Sequence, residues 1–208
     1  RRVACPWNIY PGGDKHLLEE FSKTVRCKVK LEQPTDMYQP MTGDERHFNG
    51  VVSFRESSWF GSFPFVFMTA EGAFRAQPRE VENLRQYLEE GGFILMDDCV
   101  FDRGGDFFYR SAYEMLEQAF GDGRVVRIPN DHEIFQNVFD FSSRGLPYAQ
   151  GQQHGARGVF IGDRLVAFLS PSDLHCGWTD RAGKWFPRQV YSETIKMGIN
   201  ILTYAISH

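Results

Sequence analysis

Three residues with reactive side chains follow one short apolar run of the sequence. Asp97, Asp98 and Cys99 come directly after the apolar residues 93–96, and a glycine pair precedes the run. Such a run between glycines and polar residues is typical of a strand that is buried on both faces of a parallel sheet. Ligands of open α/β sheets bind beyond the carboxyl ends of the strands. The sequence therefore predicts a functional site at Asp97, Asp98 and Cys99.

Adjacent carboxylates act together as acid and base only when they share one pocket. Successive side chains of a strand point to opposite faces, so we expect only one of Asp97 and Asp98 to face the site. If both shared it, their repulsion would raise the pKa of one and make that group a proton donor. The structural alternative is that one carboxylate caps the next segment while the other accepts hydrogen bonds from backbone amides. Both interpretations remain open at this point.

Cys99 is a candidate nucleophile if a histidine lowers its pKa, with His132 or His154 as the partner. The two neighbouring acids act in the opposite direction, since negative charge disfavours the thiolate. His132 precedes an apolar pair, which favours a hydrogen-bonding role at a helix start. The candidate catalytic set is therefore Asp98, Cys99 and His132, and it would belong to a cysteine-dependent hydrolase.

Other predicted strands also end in polar residues. Glu71 follows the apolar run 65–70, and a polar segment that includes Asp173 and His175 follows the run 165–169. Aromatic residues near a concave site suit ligand binding, which adds Trp178. We expect these side chains to bind a small polar ligand, sugar-like or peptide-like, through Glu71, Asp97, Asp98, Asp173, His175 and Trp178.

A metal site is the second chemical hypothesis. Asp98, His154 and His175 are ligand types from different strand-end loops, and Asp173 and Cys176 could join them. The mixed oxygen, nitrogen and sulfur donors suit zinc or another divalent ion. A bound ion of this kind would support a metal-assisted hydrolase.

The positions of these residues depend on a strand, helix and strand unit. The run 65–70 predicts a strand, Pro78 begins a helix with Val81, Leu84 and Leu88 on one face, and 93–98 is the next strand. This unit makes the two strands parallel neighbours. Further predictions are strands at 2–10, 27–31 and 124–128, a hairpin at 159–169, and helices at 15–25, 111–120, 133–138 and 190–206, the first capped by Asp14.

Composition limits the class of protein. The chain has 208 residues, 42% of them hydrophobic and 24% charged, with a net charge of -4 and no long basic block. A nucleic-acid-binding surface is therefore not expected, and no apolar run approaches the ~20 residues of a membrane-spanning helix. We expect one domain over residues 1–208, without contact to a membrane; the oligomeric state stays open.

Four motifs together resemble a known bacterial family, the domain of unknown function DUF4159. The resemblance covers about residues 60–206 and depends on segments 63–69, 91–98, 131–135 and 170–174. That family is grouped with class I glutamine amidotransferase-like proteins. The resemblance implies an α/β fold, a flavodoxin-like three-layer sandwich with a mainly parallel sheet.

The resemblance also bears on catalysis. The superfamily's nucleophilic cysteine lies at the turn after the strand that 93–96 resembles, within a Gly-x-Cys-x-Gly pattern. Here the turn contains Asp97, Asp98 and Cys99 without those glycines, and a late His-x-Glu pair is missing. We therefore expect an amidotransferase-like domain that binds a ligand without hydrolysing glutamine. The alternatives are the hydrolase described above and a scaffold that docks another protein.

Overall fold

A computed structural model describes residues 11–29, 53–58, 60–100 and 105–208. The strand predicted at 2–10 lies outside these ranges. The helices and strands are α1 (Pro11–Val25), β1 (Phe65–Ala70), α2 (Pro78–Glu89), β2 (Phe93–Asp98), α3 (Phe107–Phe120), β3 (Val126–Arg127), a 3₁₀ helix (Glu133–Phe135), β4 (Arg157–Ile161), β5 (Arg164–Ser170), α4 (Leu174–Thr179) and α5 (Arg188–Ser207). Among these helices, none is both long and apolar enough to cross a membrane.

The five described strands form one mixed sheet in the order β1-β2-β5-β4-β3. β2 pairs in parallel with β1 and with β5, whereas β4 is antiparallel to β5 and β3 is antiparallel to β4. The prediction of a mainly parallel sheet is therefore wrong. The physical reason is the short turn at Gly162 and Asp163, because a two-residue connection can join only antiparallel strands.

Helices pack on both faces of the sheet. Ile94 and Met96 of β2 join a core with α2 and α3, while Phe93 and Leu95 join a second core with α1 and α5. The side chains of β2 alternate between the two faces as the strand periodicity requires. The chain is thus a mixed α/β structure in which consecutive residues of β2 serve different layers.

Several predicted elements differ in length from those observed. α1 begins at Pro11 instead of Lys15, because proline is well suited to the first helical position. Asp14 consequently lies within the first turn and does not cap the helix. α3 begins at Phe107, four residues before the predicted start.

Three predicted elements are shorter than expected or missing. Residues 27–29 form no strand, and the rest of the prediction at 27–31 lies outside the described ranges. The strand at 124–128 is reduced to Val126–Arg127, and the helix at 133–138 is a single 3₁₀ turn. The predictions for β1, α2, β2 and the β4–β5 hairpin are confirmed.

Candidate functional site

Asp97 fixes the start of α4. Its buried carboxylate accepts hydrogen bonds from the backbone N–H groups of Leu174 (3.1 Å) and His175 (2.8 Å), and the Ser170 hydroxyl donates a further one. Burial, followed by the negative charge of Asp173, raises the pKa of Asp97 to about 7 against these hydrogen bonds. Asp97 therefore caps α4, a structural role of the kind that the sequence had suggested as the alternative to an acid/base role.

Asp98 has a different environment on the opposite face, beside α3. It is fully buried, and neither carboxylate oxygen has a hydrogen-bond partner in the described part of the chain. Burial and then the charge of Asp97 raise the pKa of Asp98 to about 8, although the nearby backbone amide of Tyr109 opposes the shift. Asp98 therefore holds its proton at neutral pH.

Asp173 joins three segments of the chain at the carboxyl edge of the sheet. One carboxylate oxygen accepts from the N–H of Cys176 (3.2 Å), and the other accepts from the N–H of Val100 (3.0 Å) and the side-chain amide of Gln150 (2.6 Å). Its backbone is left-handed, with φ of 54°. Burial raises the pKa of Asp173, while the hydrogen bond from Gln150 acts in the opposite sense.

The short helix α4 was missed by sequence reasoning, which treated residues 170–178 as a polar strand exit. Ser170, Ser172 and Asp173 are all residues that start helices, so a signal for the N-terminus of α4 was present. The helix places the backbone of residues 174–176 against the end of β2.

Cys99 lies against Cys176, with 3.7 Å between the two sulfur atoms. Cys99 is 2% exposed and Cys176 is 9% exposed. The contact with Cys176 lowers the pKa of the Cys99 thiol, but burial and nearby carboxylates outweigh it and the pKa is raised. The contact between the sulfurs, followed by burial, also raises the pKa of Cys176. The pair consists of protonated thiols, and its 77-residue separation offered no sequence signal.

His132 is not placed near Cys99, which corrects the predicted catalytic set. Its Nδ1 accepts a hydrogen bond from the N–H of Ile134 (3.2 Å), so it caps the 3₁₀ helix. Its ring contacts Tyr204, whose hydroxyl accepts from the N–H of Leu165 at the start of β5. Because β2 and β5 are parallel, His132 lies at the opposite end of the sheet from Cys99. Burial lowers the pKa of His132.

His175 is buried on the Asp97 face of the sheet. Its Nε2 lies 3.2 Å from the carboxylate of Asp14 in α1, although the angle is poor for a hydrogen bond. Burial alone would lower the pKa of His175, but the interaction with Asp14 outweighs it and the pKa is raised. Since Asp98 faces the other side, the predicted metal set of Asp98, His154 and His175 does not converge.

Glu71 and Trp178 have separate environments. Glu71 lies in the bend after β1, where burial and the charge of Asp173 raise its pKa. Trp178 is 1% exposed and belongs to the core between the sheet and α5, where its indole N–H donates to the carbonyl of Thr194 (2.8 Å). Trp178 therefore does not line a pocket mouth, because its large ring fills the core.

His154 lines a cleft on the α3 side of the sheet. The α3 cleft, as we call it, has a volume of about 440 Å³ and is lined by Tyr109, Arg110, Tyr113, Glu114, His154 and Arg157. The His154 ring packs edge-on against Tyr109, with 5.0 Å between ring centroids. Burial and the charge of Arg157 lower the pKa of His154, so the ring is neutral at pH 7. The other lining residues were not predicted, because those of α3 and Arg157 at the start of β4 do not form a recognisable sequence motif.

A second cleft of about 320 Å³ lies beside the start of α5 and includes Arg144, Tyr148 and Glu193. Arg144 forms an ion pair with Glu193 at 2.7 Å. None of the predicted site residues lines this second cleft.

Comparison with known proteins gives the chain a family. No curated protein matches it. The model of the family described as Domain of unknown function (DUF4159) matches residues 7–206, which extends the match well before the motifs found in the sequence. Because the match spans nearly the whole chain, the protein belongs to the DUF4159 family.

Proposed function

We propose that this domain binds a small polar ligand that carries a carboxylate, and that the α3 cleft is its binding site. The observation that carries the proposal is the cleft itself, in which Arg157 stands among aromatic rings at the carboxyl edge of β5. Clefts of a few hundred cubic ångströms with a few polar groups are typical of small-molecule sites.

Arg157 supplies the charge for the carboxylate. Its guanidinium lies 5.9 Å from the centroid of Tyr113 and donates to the carbonyl of Val125 (3.3 Å), and it forms no ion pair with a described residue. Arg110, in contrast, is paired with Asp106 at 2.8 Å. A planar guanidinium with unused N–H groups suits two-point binding of a carboxylate.

The aromatic side chains give the cleft a wall for a ring or a short apolar segment. Tyr109 and Tyr113 lie with 6.5 Å between ring centroids, and His154 packs on the first of them. A neutral imidazole offers one donor and one acceptor, which suits the hydroxyls of a sugar or the amide of a peptide. The combination favours a sugar acid or an acylated amino acid over an apolar ligand.

The buried acids have an indirect role in this proposal. Asp98 lies at the end of β2 next to the backbone of Tyr109, behind the wall of the cleft. Asp97, Asp173 and His175 are fully buried and do not line it. Their role would be to hold the edge of the sheet and α4 in place.

Binding of glucuronate, glucose and acetylglycine, measured by calorimetry, tests the proposal. We expect the two carboxylates to bind and glucose to bind more weakly. Arg157→Gln should weaken binding about tenfold or more, because hydrogen bonds to charged groups are the stronger ones. Arg144→Gln, in the second cleft, is the matched control and should bind as the wild type does. Equal binding of glucose, or an unaffected Arg157→Gln protein, would contradict the proposal.

A further inference from the structure

We propose that Cys99, Cys176 and Asp173 form a binding site for a thiophilic divalent cation, with zinc the best match. One ligand atom from each of these residues lies within 4.8 Å of the other two. The site is separate from the α3 cleft, and it contains none of Asp98, His154 and His175. The sequence had suggested Asp173 and Cys176 as additional ligands, but it had not suggested Cys99. Among the described residues, Cys99, Asp173 and Cys176 are the group of three His, Cys, Asp or Glu side chains whose ligand atoms lie close enough together to hold one metal ion.

The spacing of the two sulfur atoms fits a tetrahedral ion. Two sulfurs bound to zinc at ~2.3 Å with a tetrahedral angle are about 3.8 Å apart. The observed separation of Cys99 Sγ and Cys176 Sγ is 3.7 Å. An ion could therefore bind both sulfurs with little movement of the backbone. The Asp173 oxygen already lies within 4.8 Å of both sulfurs, so it would need to move only slightly closer to the ion.

Hydrogen bonds already hold the oxygen ligand in position. The side-chain amide of Gln150 and the N–H of Val100 bind one oxygen of Asp173, and the N–H of Cys176 binds the other. Support of this kind orients the ligands of metal sites. The left-handed backbone of Asp173 (φ 54°) is a further constrained feature at the same position.

The surroundings favour a cation. Two acidic residues lie at the same edge of the sheet: Asp97 is two residues before Cys99, and Glu71 directly follows Ala70, which is in register with Asp98. Three protein ligands leave one tetrahedral position for water or a ligand, as in catalytic zinc sites. Cys176 is 9% exposed, so this side of the site lies near the protein surface.

Binding changes the protonation of the site in a defined way. Each thiol loses its proton to solvent as its sulfur forms a bond to the ion, so two protons are released for each cation bound. Affinity should therefore increase as the pH rises. No electron transfer occurs in this step, and both sulfurs remain at the thiolate oxidation level.

Titration of the fully reduced chain with Co²⁺, followed by absorption spectroscopy, tests the site. We expect one cobalt per chain with the sulfur-to-cobalt charge-transfer bands of a thiolate site, displaced by Zn²⁺. Cys99→Ser and Cys176→Ser should each lose these bands, whereas Cys27→Ser, a half-buried cysteine elsewhere in the chain, should keep them. Circular dichroism of each variant checks that it folds.

A measurement on the unaltered protein keeps the test decisive if a cysteine variant fails to fold. X-ray absorption of the zinc-loaded wild type should show two sulfur neighbours at about 2.3 Å. Neighbours that are only oxygen or nitrogen would overturn the proposal. So would a reduced wild type without thiolate bands, or bands that survive Cys99→Ser or disappear in Cys27→Ser. None of these results depends on whether the α3 cleft binds a carboxylate.

Discussion

At the scale of single residues, the two adjacent carboxylates of β2 differ because the strand sends them to opposite faces. Asp97 lies in register with Thr69 of β1 and Ser170 of β5 and accepts backbone hydrogen bonds from α4. Asp98 lies against α3 and has no such bonds among the described residues. The two carboxylates are equally buried, but only that of Asp97 has its hydrogen-bond partners. Neither the composition nor the spacing of the sequence predicts this difference.

The first prediction compares Asp97→Asn with Asp98→Asn. Asparagine at 97 replaces one acceptor oxygen by an N–H₂ group that faces an amide donor, so the free energy of unfolding should decrease by about 1–3 kcal/mol. Asparagine at 98 keeps the shape and removes a buried ionisable group, so it should leave stability nearly unchanged or raise it. Urea denaturation at pH 7 measures both. Equal destabilisation by the two substitutions would show that their environments are alike.

At the scale of elements, α4 connects the polar edge of the sheet to α1. Its N-terminus is held by Asp97, and His175 within it contacts Asp14 of α1 at 3.2 Å. The two helices approach closely where α1 carries Gly13: a Cβ there would lie 2.8 Å from the Thr179 hydroxyl and 3.0 Å from the His175 ring. The absence of a side chain at this position therefore sets the distance between α1 and α4.

The second prediction uses the neighbouring glycines of α1. Gly13→Ala should lower the free energy of unfolding by about 1–3 kcal/mol, because the methyl group forces α4 away. Gly12→Ala is the matched control, since its added methyl would meet no atom within 4 Å. That control should be neutral or stabilising by up to about 1 kcal/mol, since alanine favours helix. Thermal denaturation of both variants checks this, and a neutral Gly13→Ala would contradict the close packing.

The elements show what the sequence could predict about this fold. The spacing of Val81, Leu84 and Leu88 and the apolar run of β2 lie in continuous segments, so their periodicity predicted α2 and β2 correctly. The alternation of strand side chains also predicted that Asp97 and Asp98 would separate. The hairpin predicted around the turn at Gly162 and Asp163 already requires antiparallel strands. The prediction of a mainly parallel sheet came instead from the family resemblance.

The candidate sites were harder to predict, for a physical reason. The contact of Cys99 with Cys176 and the approach of Tyr109 to His154 join residues far apart in the chain. Such contacts depend on how the helices pack on the sheet, and this packing cannot be predicted from the spacing of residues within one segment. His132 shows the converse, since its local capping signal was present and the structure places it as a cap.

At the scale of the whole molecule, one sheet separates two apolar cores, and the buried acids and thiols gather where its parallel strands end. Leu84 belongs to the core with α2 and α3, while Trp178 belongs to the core with α1 and α5. Both cores use β2 and β5 as a common wall. If the sheet unfolds as one unit, a loss of packing in one core should therefore also lower the stability of the other core.

The third prediction tests that coupling and, with it, the expectation of a single domain. Leu84→Ala removes a fully buried side chain and should lower the free energy of unfolding by about 2–5 kcal/mol. In a background with the other three tryptophans changed to phenylalanine, Trp178 fluorescence reports the opposite face. We expect its urea midpoint to shift together with the far-ultraviolet circular dichroism signal, whereas Ile206→Ala, at a residue 55% exposed, should shift neither appreciably. A Trp178 transition that stayed in place would mean that the two cores unfold independently, since coincident transitions are the mark of one cooperative unit.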